Sequence, residues 1–147
     1  LIMNGSDLEN LYRQVIMDHY KNPRNRGLKG FDHVHIKNPS CGDDITVEAK
    51  IENGIIKEIN HFGSGCSISM SSASVLSETL KGKTVEEGLK LINDFYEMVK
   101  GDEDINEDLD EAMAYQGVSK FPARIKCATL PWKALERVLD GDIDEDK

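Results

Sequence analysis

The sequence has no apolar run approaching the roughly 20 residues that a helix needs to cross a bilayer, which argues against a membrane protein. Its opening stretch, Leu1-Ile2-Met3-Asn4-Gly5-Ser6, shows neither the charged start nor the long apolar segment of a secretory signal, and Met3 reads as the native start. Positive charge is scarce: 18 Lys and Arg stand against 27 Asp and Glu, for a net charge of −9. A general nucleic-acid binder needs a basic face to displace counterions from phosphates, so that class is set aside. Cysteine is scarce too. There are 3, an odd number that cannot pair fully within the chain; without an export signal they read as thiols or thiolate ligands rather than disulfides. That usage points to the cytoplasm.

What is present fits a soluble globular protein. The 147 residues suffice for one domain with a sizeable core and are too few for two ordinary ones. Much of the acidity is local, in a block over 102–111 and a tail over 141–147, both expected to be solvated and mobile. The first block is also a candidate for partner docking.

The apolar spacing predicts an α+β fold over 1–147. Ser6 and Glu9 stand as the ends of a capping box, followed by Leu8, Leu11, Tyr12, Val15 and Ile16 at helical spacing, with a stop before Pro23. Alternation at Val34 and Ile36, then at Ile45, Val47, Ala49 and Ile51, predicts strands. Asn53-Gly54 is a hairpin turn signal leading into a third strand over 55–62, which gives a three-stranded antiparallel sheet packed against helices. A Ser- and Ala-rich helix is expected over 66–81, its serines forming a closely packed face. Thr84 and Glu87 mark another capping box, and Leu91, Ile92, Phe95, Met98 and Val99 form the buried stripe behind it. An acidic, insertion-like segment over about 100–117 contains a short helix near 109–115. A last helical region over 121–139 includes Trp132 in the core, with Pro131 expected to kink or divide it.

Chemistry concentrates on four residues. Cys41 and Asp43 sit two apart in the turn Pro39-Ser40-Cys41-Gly42-Asp43-Asp44, where Gly42 allows a backbone tight enough for both side chains to face one centre. Cys66 follows Gly63-Ser64-Gly65 at the expected start of a helix, whose positive end favours thiolate. Cys127 lies far along the chain after Arg124-Ile125-Lys126, two cations expected to favour thiolate there as well. Three thiolates and a carboxylate match a tetrahedral zinc shell in count and type. They suit an iron–sulfur cluster equally. With no C-x-x-C knuckle, three separated cysteines also read as buried apolar side chains.

The motifs 38–43 (NPSCGD), 63–69 (GSGCSIS) and 121–127 (FPARIKC) resemble those of the IscU/NifU-type cluster scaffolds. The stretch from Leu11-Tyr12 to Asn22-Pro23-Arg24-Asn25 resembles their N-terminal segment. Lys126, where IscU scaffolds carry histidine, and the acidic segment are similar to the SufU branch. Lys120-Phe121-Pro122-Ala123-Arg124 replaces the chaperone-recognition motif of IscU. The resemblance implies zinc held at one end of the fold by Cys41, Asp43, Cys66 and Cys127, and sulfur-transfer activity rather than that of a conventional enzyme. It implies a SufS-type cysteine desulfurase as sulfur donor, with Cys41 as acceptor once a partner side chain takes its place on the zinc. Downstream Suf-type assembly proteins or apo-proteins follow as recipients. The rival within the family is a scaffold that assembles a [2Fe–2S] cluster on the same ligands, and a purely structural zinc domain is a third reading. Arg124 and Lys126 read either as surface charges or as groups that offset the site's excess negative charge.

Other signals are weaker. Gly82-Lys83-Thr84 resembles the end of a phosphate loop, but Ser77 stands where a glycine is required and no strand precedes it. His19, His33, His35 and His61 are scattered and read as surface or strand residues.

Overall fold

The computed structural model describes residues 5–145, with side chains from residue 8 onward. Helix α1 (Gly5–Lys21) leads to strands β1 (Asp32–Asn38), β2 (Asp43–Glu52) and β3 (Ile55–Ser64). Helices α2 (Ser67–Thr79) and α3 (Val85–Val99), a 3-10 segment (Glu107–Lys120) and α4 (Pro122–Leu139) complete the order. The Ser6 half of the expected capping box lies outside the described side chains.

The sheet is antiparallel with β2 in the middle, pairing Val34 with Val47, Ile36 with Ile45 and Asn38 with Asp43 on one side, and Ala49 with Ile59 on the other. Every second residue of β2 from Asp43 to Ala49 is buried, as the pleat requires for a strand with helices on one face. Asn53 (φ 53°) and Gly54 (φ 73°) make the hairpin turn, and the register shifts at Lys50/Ile51. Glu48 is buried on the other face. Its carboxylate accepts the backbone N–H groups of Lys29, Gly30 and Phe31 and the Asn60 amide, which satisfies a buried charge and pins the loop before β1.

Helix α4 lies against β1 and β2, and α2 sits between α1 and α4. The serines of α2 permit this close approach, and each buried one finds a partner. Ser72 donates to Ala128 O at 2.6 Å and accepts from Trp132 Nε1 at 2.9 Å, while Tyr115 donates to Ser71 Oγ at 2.6 Å. Trp132 stacks on Phe95 with centroids 3.9 Å apart, and Tyr115 meets Phe95 edge-on. Thr84 caps α3, its hydroxyl accepting from Glu87 N at 3.1 Å.

Three expectations need correction. Pro131 does not divide α4, which continues as one helix; the proline removes a single donor, and Ser72 braces the neighbouring Ala128 carbonyl. The acidic block is not a solvated strand of chain: Leu109, Ala112 and Tyr115 within and just after it are fully buried while its carboxylates face outward. The tail is also held. Asp144 donates its backbone N–H to His33 O and accepts from His35 N at 2.7 Å, and Arg137 pairs with Asp142 at 3.0 Å; residues 146–147 lie outside the described part.

Candidate metal centre

The β1–β2 turn, the β3–α2 junction and the first turns of α4 meet at one end of the sheet. Cys41 sits in the turn, its N–H reaching Asn38 O, and Gly42 takes φ 69°, the left-handed conformation that glycine adopts freely. Asp43 opens β2 and is 2% exposed. Its Oδ1 accepts the Cys66 backbone N–H at 3.0 Å and the Ser69 hydroxyl at 2.8 Å. Its Oδ2 is buried with no hydrogen-bond partner.

A buried carboxylate oxygen without a donor is costly unless a cation meets it. The cation's other ligands are at hand. Ligand atoms of Cys41, Asp43 and Cys127 all lie within 4.8 Å of one another. Cys66, the N-cap residue of α2, falls outside that tight trio, but its backbone N–H holds Asp43 and its Sγ lies 3.6 Å from the Ser69 hydroxyl. All three cysteines are free. Three of the four residues expected from the sequence therefore lie within ligand distance of one another, and the donor set fits a borderline ion such as zinc.

Burial pushes the Cys127 thiol up, reinforced by the neighbouring Cys41 and Cys66 thiols. Lys126 and Arg124, expected to favour thiolate there, are both exposed, while Cys127 itself is 2% exposed. Water screens charges at the rim, whereas desolvation acts directly on the buried sulfur. Arg124 stands in the first turn of α4 with its guanidinium 6.0 Å from the Phe121 ring centroid. Lys126 lines, with Ser40, Cys41, Pro122 and Ala123, an open cavity of about 200 Å³.

Two contributors were missed in the sequence. Ser69 anchors Asp43, and its only signal was a position three residues after Cys66 in the serine run. Asn38, the register partner of Asp43, is buried with its Nδ2 unpartnered. His19 is not a surface histidine but fully buried, and His61 is nearly so, donating to or accepting from its neighbours inside the fold. No helix among the described residues is long and apolar enough to cross a membrane.

Comparison with known proteins agrees with this geometry. The chain is 52% identical to the zinc-dependent sulfurtransferase SufU of Bacillus subtilis (strain 168) over 90% of its length and 92% of that protein's. It is 43% identical to the iron–sulfur cluster assembly scaffold protein IscU of Streptococcus pyogenes serotype M1, covering 91% of this chain and 86% of the other. A solved structure from Fervidobacterium islandicum AW-1, described as an iron–sulfur cluster assembly scaffold protein for the SUF system, superposes with a TM-score of 0.77. That match has 32% identity and covers 86% of this chain and 94% of the other. The model of the NifU-like N-terminal domain matches residues 11–128, and the chain belongs to that family.

Proposed function

We propose that this chain is a zinc-dependent sulfur acceptor of iron–sulfur cluster assembly. It takes sulfur on Cys41 from the persulfide of a SufS-type cysteine desulfurase and passes it to downstream Suf-type assembly proteins or apo-proteins. The observation that carries this reading is the asymmetry of the site. Asp43 and Cys127 are buried and Cys41 and Cys66 half-buried, and of the four it is Cys41 that borders the open cavity beside Ser40, Pro122, Ala123 and Lys126. The ligand that a partner can reach is the one suited to accept cargo. The SufU name of the Bacillus relative supports the same reading, and free cysteines suit a reducing compartment, the cytoplasm.

Cys41, Asp43, Cys66 and Cys127 would hold the zinc. When bound, zinc keeps thiols deprotonated at neutral pH and has no redox chemistry with which to oxidise them. The chain's own residues do the rest. The Cys66 N–H and Ser69 hydroxyl fix one oxygen of Asp43 and leave the other presented to the centre. The Gly42 turn carries Cys41 at the cavity mouth. Its thiolate attacks the outer sulfur of the donor, R–S–S–H; a Cys41–sulfur bond forms, the donor's S–S bond breaks, and the donor departs as R–S⁻. Lys126 lines the cavity beside Cys41 and would offset a set whose thiolates and carboxylate outweigh a divalent ion, with Arg124 nearby in the first turn of α4 as a second candidate.

Desulfurase turnover with and without this protein tests the proposal, together with metal analysis after anaerobic purification. Stoichiometric zinc and strong stimulation, abolished by Cys41→Ala, support it. The second reading, a scaffold for a [2Fe–2S] cluster, is favoured by the thiol-rich ligand set and by the name of the Streptococcus relative. Iron with acid-labile sulfide and little stimulation would place that reading first.

A further inference from the structure

A second group of ligand-type side chains shares no residue with the thiol cluster. His19 of α1, Glu78 of α2 and Glu111 of the 3-10 segment each bring one ligand atom to within 4.8 Å of the others. His19 is fully buried, yet its ring is held from both sides. Nδ1 meets Ser74 Oγ at 2.8 Å, and Nε2 lies 3.2 Å from Glu111 Oε1 and 3.9 Å from Glu78 Oε1. The two carboxylates are about half exposed, which leaves room for water to complete a coordination shell.

We propose that His19, Glu78 and Glu111 form a second metal site, taking a divalent transition ion such as Mn²⁺, Fe²⁺ or Zn²⁺. Two donors each about 2.1 Å from one ion stand roughly 3.0 to 3.5 Å apart. The His19–Glu111 spacing already lies in that range, and Glu78 needs only a small side-chain rotation to join. Arg24 is the competitor for Glu78, but its Nε stands 3.7 Å away while its other end is committed to Asp18 at 2.6 Å. An ion can therefore draw Glu78 without stranding Arg24. With the ion bound, Nδ1–H donates to Ser74 Oγ and the Nε2 lone pair faces the metal. A hydrogen bond at the second nitrogen is the general device by which proteins orient a ligating histidine. One imidazole and two carboxylates select harder ions than the three thiols do, so the two sites differ in preference. Occupancy ties α1, α2 and the acidic 3-10 segment into one unit.

The test uses the zinc-loaded full chain, stripped of excess metal and titrated with Mn²⁺ and separately with Co²⁺. The expected result is one further Mn²⁺ per chain by electron paramagnetic resonance, with paramagnetic broadening of the His19 ring signals. Co²⁺ should give visible bands without sulfur-to-metal charge transfer, which marks a nitrogen–oxygen shell. The double variant Glu78→Gln/Glu111→Gln, altered only at half-exposed positions, should bind Mn²⁺ more than about tenfold more weakly with its zinc content unchanged. No second ion bound at millimolar concentration, or equal binding by the double variant, overturns the proposal. Sulfur transfer enters neither readout, so failure of the function proposed above leaves this test intact.

Discussion

The backbone N–H of Cys66 donates to Asp43 Oδ1 across 3.0 Å, so the residue that opens β2 and the residue that caps α2 hold each other. Ser69 adds a second donor to the same oxygen at 2.8 Å. One carboxylate oxygen is thereby structural, while the other, buried and unpartnered, is left for a cation.

Asp43→Asn separates these two roles. The amide oxygen still accepts from Cys66 and Ser69, but an NH₂ replaces the oxygen that faces the centre and cannot ligate. The metal-free chain should melt at the same temperature or higher, since a buried charge is removed, while zinc affinity falls more than about tenfold. Asp43→Ala instead leaves the Cys66 N–H without its acceptor and the Ser69 hydroxyl with only the Cys66 carbonyl, and should cost about 1–3 kcal/mol. Thermal unfolding and zinc competition titrations check both variants. Unchanged zinc affinity and sulfur transfer in Asp43→Ala would show that its second oxygen does not meet the ion.

Leu109 lies inside the acidic block yet is completely buried, and Asn106 just before it donates to Asp94 at 2.8 Å. Leu109→Ala should destabilise the protein by about 2–5 kcal/mol, a core-sized loss from a segment that looks like surface. Denaturant unfolding measures it. A change within about 0.5 kcal/mol would show that the block packs loosely after all.

The sheet was legible because Ile45, Val47 and Ala49 alternate cleanly and Asn53-Gly54 marks one turn. The register shift at Lys50/Ile51 was not, since an irregularity leaves no mark on the alternation around it. The four candidate ligands were legible from residue type and from family resemblance; that Cys41, Asp43 and Cys127 lie together needed the fold. Features that depend on distant packing stayed hidden. Charge near Cys127 in sequence was legible, but its burial by other elements was not. His19 has polar neighbours along α1, and only the approach of α2 and the 3-10 segment encloses it. The acidic runs advertised solvent exposure because a single buried leucine, or one tail backbone paired to β1, carries little compositional weight.

His61 gives a pH dependence. It is 3% exposed, its Nε2 bonds to Arg24 O at 2.8 Å, and Arg26 pairs with it along the chain edge. Burial holds its pKa below the ordinary 6.5, and the Arg26 charge adds to that, against the opposing pull of the Arg24 carbonyl. The unfolded chain therefore takes up this proton first as pH falls. The stability contributed by neutral His61 is complete above the unfolded value and declines as pH drops below 6.5, at up to about 1.4 kcal/mol per unit. Urea unfolding of the parent and of His61→Gln across that range isolates the effect. Parallel pH profiles would remove His61 as its source.

Gly65 provides the sharpest steric test of the centre. It is absent from the positive-φ residues, so an added methyl there meets packing rather than backbone strain. A Cβ would overlap Asp43 Oδ1 and come within 2.7 Å of Ser69 Oγ, the two atoms whose hydrogen bond positions the carboxylate. Neither atom can retreat cheaply, because Asp43 also holds Cys66 N and Ser69 is buried in α2. Gly65→Ala should therefore cost about 1–3 kcal/mol in the metal-free chain and lower zinc affinity as well, since the ligand oxygen is displaced. Gly117→Ala is the control: nothing lies within 4 Å of its Cβ position, and its φ is not positive either, so it should be neutral or slightly stabilising. Equal behaviour of the two variants in thermal melts and zinc titrations would mean that Asp43 is not held in the geometry described, and the division of labour between its two oxygens would fall with it.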